Sequence, residues 1–159
     1  MPITAGTPLA ADTPLFIVLN TGSGNHRGNE VEDSIRRVLD AAGRRYELFK
    51  VVSGSDLGNA ARQALQRARS EGGAGIAAGG DGTLNAVSNV VLGADVPFGI
   101  LPQGTFNYFG RTYGISQDTE TATRCLLDSV VEPVQVGQLN GHVFLVNASL
   151  GLYPDLLED

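Results

Sequence analysis

A run of small apolar residues, Ala74 to Ala78, leads into Gly79-Gly80-Asp81-Gly82-Thr83-Leu84-Asn85, after which Leu84, Val87 and Val91 recur at a helical period. Three glycines therefore stand where a buried strand turns into a helix. Glycine there permits positive φ and lets a ligand approach the backbone with no Cβ in the way. The first helical N–H groups have no partner within the helix, and the helix dipole favours an anion beside them. The turn reads as a phosphate site. Asp81 needs its own account, because a carboxylate there repels phosphate unless it holds a metal ion, a ribose hydroxyl or a reacting proton. The competing account makes Asp81 the N-cap of the helix.

The same strand, loop and helix unit repeats along the chain. Leu15 to Leu19 is a continuous apolar run, as expected for a parallel strand buried on both faces. It ends in the turn-rich Asn20-Thr21-Gly22-Ser23-Gly24-Asn25. Val31, Ile35, Val38, Leu39 and Ala42 then share one helical face, with Gly43 as the stop. Tyr46 to Val52 is rich in β-formers, and Asp56 is placed to cap a helix whose inner face is Leu57, Ala61, Ala64, Leu65 and Ala68. A fourth strand, Pro97 to Leu101, opens into Pro102-Gln103-Gly104-Thr105-Phe106-Asn107, and a further helix covers Thr119 to Leu127. Strands alternating with helices predict an α/β fold, a Rossmann-like parallel sheet with helices on both faces. Its loops after Leu19, Ala78 and Leu101 then meet on one rim, where ligands of such sheets bind.

Beyond residue 129 the period changes. Val130 to Leu139 alternates, Asn140-Gly141 signals a type I′ hairpin, and His142 to Leu150 alternates again. The expected organisation is a flexible leader over 1–13, a nucleotide-binding α/β domain over 14–129, and over 130–159 a β-hairpin that begins a second, β-rich domain.

Composition narrows the partners. Eleven basic against 17 acidic side chains give a net charge of −6, which disfavours nucleic acid and a polybasic membrane anchor. No stretch reaches the roughly 18 to 20 apolar residues of a membrane span, and no signal peptide is visible. The expected location is cytoplasmic, with any contact at the inner membrane transient and peripheral; self-association stays open. The one cysteine, Cys125, is expected in the core of its helix.

Two phosphate motifs fail. Gly22-x-Gly24 is followed at the third glycine position of the dinucleotide fingerprint by Arg27. A Walker A loop needs Gly-Lys, and the only lysine, Lys50, lies in a strand. Gly79 to Asn85, taken with Leu101-Pro102-Gln103-Gly104-Thr105-Phe106-Asn107-Tyr108-Phe109 and Arg111-x-x-Gly114-Ile115, resembles the catalytic domain of the diacylglycerol kinase and sphingosine kinase superfamily. The resemblance runs from Leu15 onward, and the Asn140-Gly141 hairpin with Phe144, Asn147, Ala148 and Gly151 looks like that family's lead-in to its second domain.

The resemblance implies ATP-dependent, Mg2+-assisted transfer of the γ-phosphoryl group to a lipid hydroxyl. By position, Gly79, Gly80, Gly82, Thr83, Leu84 and Asn85 would hold ATP phosphates, with Gly104, Thr105 and Asn107 contributing from the neighbouring loop. Asn20, Ser23 and Gly24 would close over the nucleotide, and Asp81 would act through Mg2+ or as a proton acceptor. Thr21 stands where the family often has proline, Ala86 where it has glutamate and Tyr108 where it has aspartate. The late Asp-Gly-Glu segment of bacterial relatives is absent from these 159 residues, so the chain alone is expected to be catalytically incomplete. The alternatives are a nucleotide-binding module without catalysis and a relative of NAD kinase, which shares the Gly-Gly-Asp-Gly turn. Phe106, Tyr108 and Phe109 read as a lipid-facing or adenine-facing patch or as packing under the loop. Arg111 reads as a partner for phosphate or surface charge or for a structural carboxylate, and His26 and His142 as solvated residues.

Overall fold

The computed structural model describes residues 6–22 and 25–145, the side chains of 25–27 excepted. In chain order the elements are β1 (Thr7–Pro8), β2 (Leu15–Asn20), α1 (Asn25–Ala41), β3 (Tyr46–Val51), α2 (Leu57–Glu71), β4 (Ala74–Gly79), α3 (Asp81–Val91), β5 (Phe98–Pro102), α4 (Tyr108–Thr112), α5 (Thr119–Leu127), β6 (Val130–Val131), β7 (Gly137–Leu139) and β8 (His142–Phe144). The central sheet is parallel, in the order β3-β2-β4-β5. From β2 the chain steps outward to β3, then crosses back over β2 to β4 and on to β5. Right-handed crossovers running in opposite directions place their helices on opposite faces. One face accordingly packs Phe16, Val18, Ala77 and Ile100 against α2 and α3. The other packs Leu15, Ile17, Leu19 and Ile76 against Ile35 and Leu39 of α1 and Ala122 and Leu126 of α5. Burial on both faces is why β2 reads as an unbroken apolar run. The order reverses between β2 and β4, and their carboxyl ends form the crevice where such sheets bind ligands.

Local signals held where they depended on backbone geometry. Gly43 and Gly72 have φ of 61° and 63° and end α1 and α2. Asn140 and Gly141 both have positive φ, as a type I′ turn requires, and Leu139 pairs with His142 across it. Asp118 caps α5, accepting from Thr121 N at 2.8 Å; the Thr121 hydroxyl and amide hold its carboxyl below the ordinary range. Asp56 occupies the cap position of α2, but its side chain makes no cap bond, because a 3-10 turn over Gly54–Asp56 precedes the helix.

Three expectations are corrected. The segment read as a flexible leader is tied down from residue 6: β1 pairs antiparallel with β6, and Leu9 N donates to Ser129 O at 2.8 Å. The buried guanidinium of Arg44 donates to the carbonyls of Ala10, Thr13 and Leu127 at 2.6, 3.0 and 3.2 Å. Val130 to Leu139 is not one strand, because its first two residues pair with β1 and Pro133 cannot donate to a ladder. Cys125 is exposed. Its helix turns Ala122, Thr123 and Leu126 inward, and at about 100° per residue position 125 falls on the flank.

The Asn89 side chain hydrogen-bonds the hairpin to the α/β body, where Leu145 also packs on the core. Asn89 Nδ2 donates to Val143 O at 2.8 Å and Asn89 Oδ1 accepts from Val143 N at 2.7 Å, while Nδ2 also reaches Asn85 O. Its amide imitates a neighbouring strand, so β8 is paired on both edges. Asn89→Leu is expected to destabilise the protein by roughly 2 kcal/mol and to speed amide exchange at Val143, read by denaturation and hydrogen exchange.

Glu32 binds α1 to β3, with Arg36 at 2.8 Å and Lys50 at 3.0 Å. Burial pushes its carboxyl up, but the hydrogen bonds and charges of Arg36 and Lys50 outweigh this and leave it below the ordinary 4.5. A depressed carboxyl contributes stability above its unfolded pKa and loses it as pH falls through the folded one. The stability difference between the parent and Glu32→Gln is therefore expected to be largest near neutrality and to shrink on acidification below pH 4.5, measured by urea unfolding at stepped pH.

Candidate nucleotide site

The three rim loops meet. At the end of β2, Asn20 Nδ2 donates to Thr83 Oγ1 at 2.8 Å, and Asn20 Oδ1 accepts from Gly22 N at 3.0 Å. This bridges the crevice between β2 and β4. From the other side Gln103 N donates to Gly79 O at 2.8 Å, extending the β4–β5 ladder into the loops. Gly80 and Gly104 touch backbone to backbone, since a Cβ on Gly104 would lie 2.7 Å from Gly80 Cα.

Positive φ is not what the glycines supply. None of Gly79, Gly80 and Gly82 has positive φ, so left-handed backbone is not their reason. A Cβ on Gly79 would strike Thr83 at 2.5 Å, and Gly80 is small to admit Gly104. Gly82 differs: outside its own helix backbone no atom of the described residues lies within 4 Å of an added Cβ. The first bond of α3 runs from Leu84 N to Gly80 O. The N–H groups of Asp81, Gly82 and Thr83 precede it and are the orphan donors of this helix end.

Asp81 does not cap its own helix, whose N-cap is Gly80. Its carboxylate instead crosses to α4 and accepts from Tyr108 N at 3.1 Å and Phe109 N at 3.3 Å. It supplies the acceptor that Asn107, the N-cap of α4, does not, for Asn107 is left-handed with φ 51° and turns its side chain back. Asn107 Oδ1 accepts from Gly104 N at 2.7 Å, and its Nδ2 donates to Gly104 O at 2.7 Å and to Gln117 Oε1 at 2.6 Å. This amide is buried and fully engaged in shaping the loop. Arg111 pairs with no carboxylate among the described residues; its Nε donates to Phe106 O at 2.7 Å.

The other expected residues divide. Thr83 is buried but bonded at the crevice, Thr105 is exposed on the neighbouring loop, and Leu84 is a core side chain whose N–H is already bonded. Asn85 Oδ1 and Gln103 Nε2 are buried without a partner among the described residues, and such atoms are rare away from functional sites. Ser23 and Gly24, like Asn147, Ala148 and Gly151, lie outside the described residues. Asn89 and Arg44 escaped the sequence reading because each bonds backbone far along the chain, and Gln117 because it meets the Asn107 side chain across the loop; none belongs to a periodic pattern. Among the described residues no three His, Cys, Asp or Glu side chains form a metal cluster. No described helix is long and apolar enough to cross a membrane.

Residues 14–139 match the sequence profile of the diacylglycerol kinase catalytic domain. This chain belongs to that family. It is 32% identical over 146 residues to a diacylglycerol kinase of Bacillus subtilis, covering 90% of this chain and 47% of that protein. A diacylglycerol kinase of Staphylococcus epidermidis is 33% identical over 139 residues, covering 85% and 42%. A probable YegS-like lipid kinase of Pseudomonas aeruginosa is 35% identical over 131 residues, covering 80% and 42%. The fold superposes on the crystal structure of a diacylglycerol kinase from Bacillus anthracis with a TM-score of 0.68 at 29% identity, covering 84% of this chain and 46% of that one. The chain spans about half the length of these relatives.

Two glycines of this diacylglycerol kinase-type rim should respond in opposite ways. Gly104→Ala is expected to lower thermal stability, by about 1–3 kcal/mol for a backbone forced apart. Gly82→Ala, in open space at a helical position, should leave stability equal or raise it by up to about 1 kcal/mol while weakening ATP binding, as thermal melts and calorimetry would show.

Proposed function

We propose that this chain is the ATP-binding part of a lipid kinase that transfers the γ-phosphoryl group of ATP to a lipid hydroxyl of the diacylglycerol type. The observation that carries this reading is the turn at exposed Gly82: the N–H groups of the first three residues of α3 have no partner among the described residues, beside the Asn20–Thr83 bond at the switch point of the sheet. An anion held there neutralises the orphan donors and the positive end of α3. Asn20 and Thr83 border the phosphates on the β2 side, and Gly104 and Thr105 on the β5 side.

In the transfer the lipid oxygen forms a bond to the γ-phosphorus, the bond from that phosphorus to the ADP oxygen breaks, and the hydroxyl proton passes to a base. Such chemistry depends on positioning and on stabilising charge on the phosphoryl oxygens. The α3 donors do this for the phosphates. Mg2+, when bound, supplies the remaining neutralisation, and Asp81 is the carboxylate this turn offers as its partner or as the proton acceptor. Its bonds to Tyr108 N and Phe109 N hold it in place for either.

The test uses the full-length gene product with ATP, Mg2+ and diacylglycerol. Radiolabel is expected in the lipid, and Asp81→Asn is expected to cut the rate by about 10²-fold or more. Undiminished transfer in that variant sinks the role given to Asp81. ATP binding by calorimetry, with no transfer to any lipid, would favour a non-catalytic nucleotide module.

A further inference from the structure

We propose that Thr21 is a positioning residue that holds the Asn20 amide one way round and so leaves the Thr83 hydroxyl free to donate to an anion. The inference rests on the proposed ATP site and names what orients a donor within it. Thr21 follows β2 on the crevice rim and is bonded sideways to β3. Its N–H donates to Val51 O at 2.8 Å, and its Oγ1 donates to the same carbonyl at 3.1 Å. The parallel ladder thus runs one residue past β2 into the loop, and both lone pairs of that carbonyl are used.

Packing closes the other side. A Cβ on buried Gly28 would lie 2.9 Å from Thr21 Cβ and 3.2 Å from its methyl, so the first turn of α1 rests directly on this side chain. Gly22 is pressed in turn against the loop after β3, where an added Cβ would meet Val52 O at 2.5 Å. Thr21 is gripped from two sides, and the N–H of Gly22 beside it is held in one direction.

That N–H decides which way the Asn20 amide faces. Gly22 N reaches Asn20 Oδ1 at 3.0 Å. An N–H needs an acceptor, so the amide oxygen takes this side and Nδ2 takes the other, 2.8 Å from Thr83 Oγ1. Thr83 then accepts from Asn20, and its own proton turns elsewhere. Among the described residues that proton meets no acceptor, although Thr83 is buried. A buried hydroxyl with a proton to spare, next to Gly82 at the head of α3, is a ready donor to a phosphate oxygen. Reversing the amide would turn Oδ1 toward Thr83, draw the proton onto it and remove the donor. Thr21 touches no ligand in this arrangement and acts through Asn20 and Thr83.

The test uses the full-length gene product, with ATP and Mg2+ titrated in calorimetry and hydrogen exchange at the Gly22 amide followed by NMR. Thr21→Val keeps the shape but loses the hydroxyl bond to Val51. It is expected to weaken ATP binding about fivefold and to speed Gly22 exchange by a similar factor. Thr21→Ser keeps the hydroxyl and should stay within about twofold of the parent. Asn20→Ala should weaken ATP binding about tenfold, and adding Thr21→Val to it should cost nothing further, since both act through one amide. Unchanged affinity in Thr21→Val overturns the proposal, as do losses that add in the double variant. A lowered melting temperature with affinity and exchange intact would make Thr21 ordinary packing, and also overturns it. Faster Gly22 exchange in Thr21→Val, in a protein whose parent binds no ATP, would fell the ATP reading alone and keep the hold of Thr21 on Asn20. ATP binding in the parent that Thr21→Val leaves unaltered, with Gly22 exchange unaltered too, would fell the positioning alone.

Discussion

One carboxylate holds the rim together. Asp81 stands at the first position of α3 and accepts the first two amides of α4, so two helix N-termini converge on a single negative charge. Without it the α4 amides would face the loop unpaired, since Asn107 is turned the other way. With it the loop after β5 is drawn onto the loop after β4 until their backbones touch. That contact admits only glycine at 104 and leaves little room for a Cβ at 80. The rim turn is thus built from two segments that are distant in sequence, and its form depends on a residue whose obvious reading was chemical. The two roles are compatible, because each carboxylate oxygen that accepts one N–H retains a second lone pair.

From this rim the structure transmits position outward along α3. Its first turn carries the open donors, and its third turn carries Asn89, whose amide pins Val143. The helix is therefore a strut between the proposed ATP site and the hairpin. At the opposite end of the sheet Arg44 ties residues 10 and 13 to the end of α5, and β1 pairs with β6. These ties use charged or amide side chains on backbone carbonyls and amides, a type of bond that ignores hydrophobic period.

This explains what could and could not be read in the chain. Strand β2, the inner face of α2 and, apart from exposed Ala42, that of α1, the stops at Gly43 and Gly72 and the turn at Asn140-Gly141 were legible because each obeys a rule local to about ten residues. The meeting of the three loops followed from topology alone, since successive parallel strands expose their carboxyl ends on one edge. The reason for the glycines was misread, as positive φ is the local explanation and close packing a tertiary one. Cys125 was misplaced because three consecutive apolar residues, Cys125, Leu126 and Leu127, cannot all face one side of a helix.

The sequence by itself determined the layered α/β fold, the strand-to-helix turn at Gly79 to Asn85 and the kinship of the two motifs, since periodicity and short-range turn chemistry are written in consecutive residues. Only the tertiary structure decided that Asp81 braces α4, that Thr83 rather than a ligand fills the space at Gly79, and that Asn107 is closed within its own loop. It also decided which residue is left open, Gly82, and which side chains are left bare, Phe106 and Tyr108. The physical reason is that hydrogen-bond satisfaction and van der Waals exclusion are settled between neighbours in space, and such neighbours lie far apart along the chain, as Asn20 and Thr83 do at 63 residues and Arg44 and Leu127 at 83.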